Sequence, residues 1–254
     1  MDEAHNFTST LSAETIGRIA PAVVIEFTGA EAVETAIKVA RKWGYCSKQV
    51  PRDEAEIIVC RNNFHGRTTT LVGFSSEPRY RENFGPYGGG FRAIGFGDLD
   101  ELEAALSPRT VGFLVEPIQA EAGVRQPPAG FLSRARALCR ERRVLFMLDE
   151  IQTGLGRTGK VFAYEHEADA KPDLLVLGKA LGGGAYPVSA VLGERAVMEL
   201  FRPGDHGSTF GGNPLAAAVG LAALEVLQRE DLSRRAREQG EYLMARLGRL
   251  RHPA

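Results

Sequence analysis

Residues 144–159, VLFMLDEIQTGLGRTG, place five apolar residues directly before two acids and a glycine-rich segment. The run VLFML predicts a strand that is buried on both faces of a sheet. Asp149 follows at the carboxyl end of this strand, which is where ligands bind in open α/β sheets. Burying a carboxylate there is costly unless it meets a cation or hydrogen-bond donors. The stretch therefore predicts a binding site at the edge of a sheet, with an exposed strand-end acid as the alternative.

The glycines of this stretch also match the spacings of two nucleotide-binding motifs, but the residues around them fit neither motif. Gly154, Gly156 and Gly159 give G-x-G-x-x-G, and the segment ending at Lys160 gives G-x-x-x-x-G-K. A dinucleotide fingerprint should follow its strand directly and open a helix, whereas DEIQT intervenes and no clear helical stripe follows. A Walker loop needs Ser or Thr after its lysine, and Val161 stands there. We therefore predict a loop in which side chains would obstruct a close approach.

Short apolar runs alternate with amphipathic helical patterns along most of the 254 residues. Helical patterns at 99–106 and 131–142 lie between runs that predict strands. Such alternation predicts an α/β domain with a largely parallel sheet, and the length allows one large domain or two small ones. The predicted strands are 22–27 (AVVIEF), 56–60 (EIIVC), 111–115 (VGFLV), 144–148 (VLFML), 173–177 (DLLVL) and 188–192 (VSAVL).

Composition and charge argue against several classes of protein. Apolar residues make up 44% and charged residues 25%, and a net charge of −1 provides no bulk field for nucleic acid or an anionic membrane. The scattered Cys46, Cys60 and Cys139 argue against a disulfide framework, and His166 and His206 lack metal-ligand spacing. No apolar run approaches membrane-spanning length, and the N-terminus lacks a signal-peptide core. We expect a soluble cytoplasmic protein without a bound metal.

Residues 27–45, FTGAEAVETAIKVARKWGY, contain a well-defined helix start. Thr28 and Glu31 form a T-x-x-E capping box, and apolar residues recur on one helical face behind it. Glu34 and Lys38 are spaced to pair across a turn. Because a buried strand runs into a Thr-Gly turn here, the helix would present free N–H groups and its positive dipole end to an anion. A plain strand-to-helix turn is the alternative.

Residues 173–184, DLLVLGKALGGG, place Lys179 one glycine after a strand and shortly before three more glycines. A lysine in that position can serve as an amine nucleophile, although a surface lysine in a loop is the alternative. Together with Asp149 and a helix N-terminus suited to phosphate, Lys179 completes the three parts that pyridoxal phosphate requires. The phosphate needs backbone N–H groups, the pyridine nitrogen a carboxylate and the aldehyde a lysine.

Seven segments from about residue 28 to 228 resemble the class III, pyridoxal-phosphate-dependent aminotransferases, especially the members that act on ornithine. The resemblance implies the type I fold of such transferases, with a large domain whose mostly parallel sheet is flanked by helices. It also implies transfer of the δ-amino group of ornithine to a 2-oxo acid such as 2-oxoglutarate, giving glutamate semialdehyde and glutamate. Acetylornithine and 4-aminobutyrate are the alternative substrates. The segments, in the family's order, are TGAEAVETAIKVARKWGY, NNFHGRTTTLVGFSS, FGPYGGGF, VEPIQAEAGV, LDEIQTGLGRTG, LGKALGGGAYPVSAVL and HGSTFGGNPLAAAVGLAALEVL.

The resemblance also implies which residues contact the cofactor ring. Lys179 matches the lysine that forms a Schiff base with the aldehyde, and Asp149 matches the partner of the pyridine nitrogen. Gln152 would reach the phenolic oxygen, and Phe64 would stack on the face of the ring. His65 would lie beside the cofactor, with a packing role as the alternative.

The phosphate and the assembly are implied in the same way. Gly29 and Ala30 would supply N–H groups to the phosphate of pyridoxal 5'-phosphate. Thr209, with Ser208 beside it, matches a segment that the neighbouring subunit donates to that phosphate. The resemblance therefore implies a homodimer with shared active sites.

Three further residues match positions on the substrate side of the family's site. Arg67 and Glu121 match residues that line it, and Glu121 is linked to the choice between the two amino groups of ornithine. Glu116 matches an acid near the cofactor, and a purely structural role is an equal alternative. All three are expected to face small-molecule amino-acid and 2-oxo-acid substrates.

The resemblance divides the chain into three parts. Residues 1–27 form a divergent N-terminal segment and first strand, and 28–228 form the cofactor-binding large domain. Residues 229–254 form an amphipathic helix leading into a C-terminal small domain, which in the family carries the arginine that binds the substrate carboxylate. Most of that small domain has no counterpart in the sequence. The alternative function is therefore a truncated, catalytically impaired remnant that binds the cofactor and forms homodimers.

The last helix is rich in arginine, which raises the possibility of nucleic-acid binding. Acids are interspersed among its arginines, so a solvated face is the better interpretation. Its apolar side carries Ala236, Leu243, Leu247 and Leu250. Without a partner domain we expect this stripe to be exposed, which favours association.

Overall fold

The computed structural model describes residues 22–250, so most of the predicted segment 1–27 and the last four residues of 229–254 lie outside the described residues. Seven strands form one sheet with the order β1-β7-β6-β5-β4-β2-β3. Only β7 is antiparallel to its neighbours; the other pairs are parallel. The strands are β1 (Ala22–Glu26), β2 (Glu56–Cys60), β3 (Phe91–Ile94), β4 (Thr110–Val115), β5 (Leu145–Asp149), β6 (Leu174–Leu177) and β7 (Ser189–Gly193).

Helices cover both faces of this sheet, as the alternating pattern predicts. The two predicted helical stretches correspond to α4 and α5, and each ends one residue earlier than predicted. The helices are α1 (Gly29–Trp43), α2 (Thr69–Gly73), α3 (Pro78–Arg81), α4 (Leu99–Ala105), α5 (Phe131–Glu141), α6 (Arg195–Met198), α7 (Pro214–Arg229) and α8 (Leu232–Leu247). Among residues 22–250, no helix is both long and apolar enough to cross a membrane.

All six predicted strands form, with ends that differ by one residue in five of them. Asp149 is the last residue of β5 rather than the first residue after it. The sequence prediction missed β3, a four-residue edge strand whose Arg92 is exposed. Because it pairs only with β2 and carries no continuous apolar run, β3 lacks the signal that marks the buried strands.

Strand β5 is buried on both faces, and alternation along it decides what each side chain contacts. Leu145 and Met147 pack in the hydrophobic cluster that contains α1. Phe146 and Leu148 pack in the cluster on the other face, with residues of α5 and α7. Asp149 shares the parity of the first pair, so its side chain points to the layer that holds α1.

Helix α1 begins with the predicted capping box. The N–H of Thr28 donates to Glu31 Oε2 at 2.7 Å, and the N–H of Glu31 donates to Thr28 Oγ1 at 3.3 Å. The predicted pairing of Glu34 with Lys38 is wrong: Glu34 accepts a hydrogen bond from the hydroxyl of Thr68, and Lys38 binds residues near 205. Both side chains therefore form hydrogen bonds with residues of other segments and not with each other. The residues that α1 buries are Ala32, Val33, Thr35, Ala36, Ile37, Val39 and Ala40.

The glycine-rich loop after β5 allows helices to approach closely, which confirms its predicted role. Gly156 and Gly159 have φ values of +90° and +88°, which side chains rarely adopt. A Cβ at Gly159 would lie 2.8 Å from the Cβ of Arg237, and one at Gly156 would lie 3.2 Å from the hydroxyl of Ser233. The loop therefore packs against the first turns of α8, and its glycines are required by that contact.

Helix α8 otherwise contributes little to the core. None of its residues is buried against the described part of the chain. Leu243, Leu247 and Leu250 are exposed, as predicted for an apolar stripe without a partner. The predicted helix over 229–254 is divided instead, since α7 ends at Arg229 and Asp231 adopts a left-handed φ of 48°.

Candidate active site

A cleft of about 180 Å³ opens at the carboxyl ends of the parallel strands. Strands β1, β2, β4, β5 and β6 all run in one direction, so the residues that follow them meet at one edge of the sheet. Nine of the predicted site residues line this cleft: Gly29, Ala30, Phe64, His65, Glu116, Glu121, Asp149, Gln152 and Lys179.

Asp149 is a buried carboxylate with a fixed orientation, so the exposed-acid alternative is wrong. Its side chain is 5% exposed. Oδ2 lies 2.7 Å from His65 Nδ1, and Oδ1 accepts the N–H of Ile151 at 3.1 Å. A carboxylate can accept about four hydrogen bonds, so these two contacts hold Asp149 in place and leave room for a further donor in the cleft.

His65 does more than pack against its neighbours. Burial opposes its charged form, but the hydrogen bond to Asp149 and the charges of Glu116 and Asp149 outweigh burial and raise the pKa of His65. The imidazolium form is thereby favoured, with Nδ1–H donating to Asp149. The other ring nitrogen, Nε2, is buried and has no hydrogen-bond partner among residues 22–250.

Glu116 is a second buried acid in the cleft, and its charge is not fixed. Burial raises the pKa of Glu116 to about 7, and the charge of Asp149 adds to the shift. His65, the N–H of Phe64 at 3.4 Å from Oε2, and Lys179 oppose the shift. A carboxyl group with a pKa near neutrality can accept or release a proton under physiological conditions.

Lys179 follows β6 and begins a short 3-10 turn, Lys179–Gly182. Its φ is 42°, in the left-handed region, and such a conformation in a non-glycine residue costs about 1–3 kcal/mol. The side chain lines the cleft together with Asp149, so the structure joins the two residues that the sequence placed after different strands. Lys179 is nevertheless exposed, so its role in binding a cofactor stays a prediction.

The N-terminus of α1 forms another wall of the cleft. The first N–H groups of a helix have no partner within the helix, and the helix dipole favours an anion there. Gly29 and Ala30 lie at this position. A Cβ at Gly29 would lie 3.0 Å from Cδ1 of Ile151, so glycine keeps the helix end close to the turn after β5. The phosphate of the predicted cofactor requires backbone donors of this kind, so binding at this helix end stays a prediction.

Gln152, predicted to bind the cofactor, and Glu121, predicted to line the substrate site, contact each other directly. Gln152 donates from Nε2 to Glu121 Oε1 at 3.4 Å, and Glu121 is exposed at the cleft. The sequence prediction assigned Gln152 to the phenolic oxygen of the cofactor. In the structure Gln152 lines the same cleft as Asp149 and Lys179, and its NH₂ group donates to Glu121.

Arg67 lies outside the set of described residues that line the cleft. Its guanidinium carbon is 4.5 Å from the ring centre of Tyr80 and 5.9 Å from that of Phe64. The two rings meet edge to face at 5.9 Å. Arg67 is thus held beside the cleft by stacking on Tyr80, a residue that the sequence analysis missed because it lies in no matched segment.

Ser208 and Thr209 lie apart from the cleft of their own chain. They line a second hollow of about 380 Å³ together with Glu26, Glu31 and His206. Thr209 is exposed there. Within one chain the structure therefore does not bring these two residues to the cofactor-binding residues, and the prediction that they serve a neighbouring subunit stays a prediction.

Residues 1–254 match the sequence profile described as Aminotransferase class-III. The chain belongs to the class-III aminotransferase family. It is 57% identical over 226 residues to the ornithine aminotransferase of Halalkalibacterium halodurans and 58% identical to that of Bordetella pertussis, in each case over 89% of this chain. The matches cover 56% and 55% of those proteins, so the chain spans about half the length of the curated relatives it matches.

Solved structures of class-III aminotransferases have the same fold. An ornithine aminotransferase from Toxoplasma gondii, with partial occupancy of PLP at its active site, superposes with a TM-score of 0.91 at 48% identity, covering 93% of this chain and 56% of that one. An acetylornithine aminotransferase from Elizabethkingia anophelis gives a TM-score of 0.82 at 43% identity, covering 98% and 58%. The predicted family and fold class are confirmed, and the cofactor of this enzyme family is pyridoxal 5'-phosphate.

Proposed function

We propose that residues 28–228 form the cofactor-binding domain of an aminotransferase that acts on ornithine. The observation that carries this proposal is the meeting of Lys179, Asp149 and the N-terminus of α1 in one cleft. These three features match the aldehyde, the pyridine nitrogen and the phosphate of pyridoxal phosphate, which supplies an electron-withdrawing ring when bound. The high identity to ornithine aminotransferases supports ornithine as the amino donor.

The residues of the cleft have distinct roles in this proposal. Asp149, oriented by His65 and the N–H of Ile151, would hold a proton on the pyridine nitrogen of the cofactor. Lys179 would hold the cofactor through Nζ, and its amine would move a proton at the substrate carbon once the substrate amine has displaced it. Phe64 would pack on the face of the ring.

The N-terminus of α1 and a second copy of the chain would share the phosphate. Gly29 and Ala30 donate N–H groups to it from one subunit. Thr209, with Ser208 beside it, reaches it from the other. The exposure of Thr209 outside its own cleft supports a homodimer with shared active sites.

The open side of the cleft would select the substrate. The carboxylate of Glu121 is available to the ammonium groups of ornithine, and Arg67 offers a guanidinium for a carboxylate. In our proposal the δ-amino group is transferred to a 2-oxo acid such as 2-oxoglutarate, giving glutamate semialdehyde and glutamate. Glu116 holds or releases a proton beside Lys179 as substrates of different charge enter.

The cysteines support a location for the protein. Because Cys46, Cys60 and Cys139 are free thiols, we place the protein in a reducing compartment, the cytoplasm.

Spectroscopy of purified protein with pyridoxal phosphate tests the proposal. We expect a visible absorption band from linked cofactor, which borohydride fixes onto the peptide that contains Lys179. Ornithine should remove the band before reduction, faster than acetylornithine or 4-aminobutyrate does. The control Lys179→Ala should bind cofactor without the band.

The outcomes separate the parts of the proposal. A folded protein that takes up no cofactor at Lys179 contradicts the whole. A linked cofactor that ornithine leaves unchanged supports cofactor binding and contradicts ornithine transamination. A faster response to acetylornithine would transfer the substrate assignment to that compound.

A further inference from the structure

One face of α1 binds the segment that carries Thr209. Glu31, Thr35, Lys38 and Lys42 recur at helical spacing, and each contacts residues 205–208 of the chain. We call residues 205–210 the exchange loop. The helix whose N-terminus faces the cofactor phosphate thus also determines the course of this loop.

The centre of this contact is a buried carboxylate. Glu26, the last residue of β1, is 2% exposed. Its Oε1 lies 2.6 Å from Nε2 of His206 and accepts the hydroxyl of Thr35 at 2.8 Å. Burying a carboxylate is costly unless donors compensate it. His206 is therefore bound to the sheet through a buried carboxylate.

The neighbours of His206 determine which ring nitrogen carries the proton. Nζ of Lys38 lies 3.0 Å from Nδ1, and an ammonium group can only donate, so Nδ1 accepts. The proton is then on Nε2, which donates to Glu26 Oε1 and also lies 3.0 Å from the hydroxyl of Thr35. His206 also stacks on Phe201, with ring centres 5.5 Å apart and planes 22° apart. The position of the His206 ring is therefore fixed by hydrogen bonds at both nitrogens and by stacking on one face.

The residue before His206 is held in the same way. Lys38 also donates to the carbonyl oxygen of Asp205 at 3.1 Å, and Lys42 forms an ion pair with the carboxylate of Asp205. That carboxylate accepts the N–H of Arg202 at 2.7 Å. The hydrogen bond to Lys42 lowers the pKa of Asp205. The start of the exchange loop is thus attached to α1 by two lysines.

Glu31 links the exchange loop to the phosphate end of α1. Its Oε2 accepts the N–H of Thr28, the residue directly before Gly29. Its Oε1 accepts the hydroxyl of Ser208, the residue directly before Thr209, at 3.2 Å. Because the hydroxyl of Ser208 is used within its own chain, Thr209 is the residue of this pair that remains exposed for another molecule.

We propose that His206 and Glu31 are positioning residues for the cofactor phosphate of a second copy of this chain. His206 acts through the exchange loop, by holding it on Glu26 and Thr35 so that Thr209 projects at a fixed place. Glu31 acts on both sites of the dimer, because one oxygen supports its own phosphate-binding helix end and the other supports the loop that reaches the partner. The inference rests on the proposed function, which supplies the dimer and the cofactor.

Mixed dimers of the 254-residue polypeptide, isolated by two different tags, test the inference. Both types contain one Lys179→Ala subunit, so every linked cofactor belongs to the other subunit. In the first type, His206→Leu is placed on the Lys179→Ala subunit. In the second type, it is placed on the subunit that retains Lys179. The readout is the dissociation constant of pyridoxal phosphate, measured from its absorption and from the amount of reduced cofactor on Lys179.

We expect the first type to bind cofactor roughly tenfold to a hundredfold more weakly than the parent mixed dimer, because one hydrogen bond to the charged phosphate is misplaced. The second type should bind like the parent. Thr209→Ala on the Lys179→Ala subunit should reproduce the first result. His206→Gln, whose amide can still donate to Glu26, should restore most of the affinity.

Glu31 has a different signature. Glu31→Ala should weaken cofactor binding when placed on either subunit, since it acts within its own chain through Thr28 and across the dimer through Ser208. Thermal unfolding and sedimentation of every dimer report folding and assembly independently of cofactor. A variant that does not fold is replaced by Lys38→Met, which removes a contact of His206 from the exposed side of the helix.

Four results would overturn the inference. One is equal cofactor affinity in all mixed dimers, and another is an effect of His206→Leu confined to its own subunit. Both leave the proposed function intact if the parent dimer carries linked cofactor. A parent dimer without linked cofactor, or a chain that stays monomeric, would overturn the proposed function and this inference with it.

Discussion

Helices α1 and α8 are both amphipathic and nearly equal in length, with 15 and 16 residues, yet they differ completely in burial. Seven residues of α1 are buried between the sheet and its neighbours. None of α8 is buried against the described residues. An apolar stripe predicts which face of a helix needs cover, but it does not show what covers it. Of these two helices, only α1 packs its apolar face against the sheet, and only α1 contributes residues to the cleft.

The largest expected effect is on the core face of α1. Ile37 is 1% exposed among residues of the sheet. Ile37→Ala should lower the free energy of unfolding by about 2–5 kcal/mol, because it removes buried methyl groups and leaves a cavity. The matched variant Leu243→Ala on α8 should change it by less than about 0.5 kcal/mol. Urea unfolding followed by circular dichroism measures both, and similar losses would remove the contrast between the helices.

The next effect is on the pH dependence of stability, which we expect from the buried acids Glu116 and Glu150 and not from the exposed acids of α8. Burial raises the pKa of Glu116 and that of Glu150 to about 7, although three hydrogen bonds to Glu150 oppose the shift. The unfolded chain loses these protons at lower pH than the folded chain does, so stability falls as pH rises from about 4.5 to 7.

Glu150→Gln should therefore reduce this loss by roughly 2 kcal/mol relative to the parent. Glu238→Gln on α8, where the acid is exposed, should leave the slope unchanged. The measurement is the unfolding free energy at several pH values, taken as the difference between variant and parent. The assignment is contradicted if the parent and Glu150→Gln show the same change in unfolding free energy between pH 5 and 7.

A smaller effect concerns the capping box of α1. Thr28→Ala should destabilise the protein by about 1 kcal/mol, because the N–H of Glu31 loses its acceptor. It should also weaken cofactor binding by changing the helix end next to Gly29. Thr28→Ser keeps the hydroxyl and should retain most of both properties. Helix α8 has no side-chain cap at Asp231, so Asp231→Asn should have a smaller effect on stability. Thermal unfolding and cofactor titration give the two readouts.

The smallest effect on stability is expected from the exposed stripe itself. Leu243→Gln with Leu247→Gln should leave the unfolding free energy within about 0.5 kcal/mol of the parent. It should reduce concentration-dependent association of the 254-residue polypeptide, because a contiguous apolar surface is removed. Sedimentation velocity over a range of concentrations checks this. Loss of cooperative unfolding in this variant would show that α8 is packed after all.

The strands and the capping box were predictable because their signals are local. Apolar runs such as 111–115 and 144–148 are buried in the sheet, and the T-x-x-E motif forms both of its hydrogen bonds. The edge strand β3 was not predictable, since one covered face and an exposed Arg92 leave no apolar run. The places of Asp149 and Lys179 at the ends of buried strands also predicted that both would lie at the cleft, which they do.

Neighbouring acids show most clearly what required the fold. Asp149 and Glu150 are adjacent, and both are buried. Asp149 lies in the cleft with His65, whereas Glu150 turns to the other face and accepts N–H groups from Ala163 and Tyr164. Alternation of side-chain direction at the end of β5 and just beyond it decides between them, and sequence alone does not give the layers on the two sides of the strand.

The sequence by itself determined six of the seven strands, the helix start, the glycine loop and the types of chemical group available, because these depend on neighbours a few residues apart. Tertiary structure decided which groups meet. The contact of His65 with Asp149, the neutral tendency of Glu116 and the attachment of His206 to Glu26 join segments distant in sequence. Burial and strand order create these contacts, since both the desolvation of a charge and its hydrogen-bond partners depend on long-range packing.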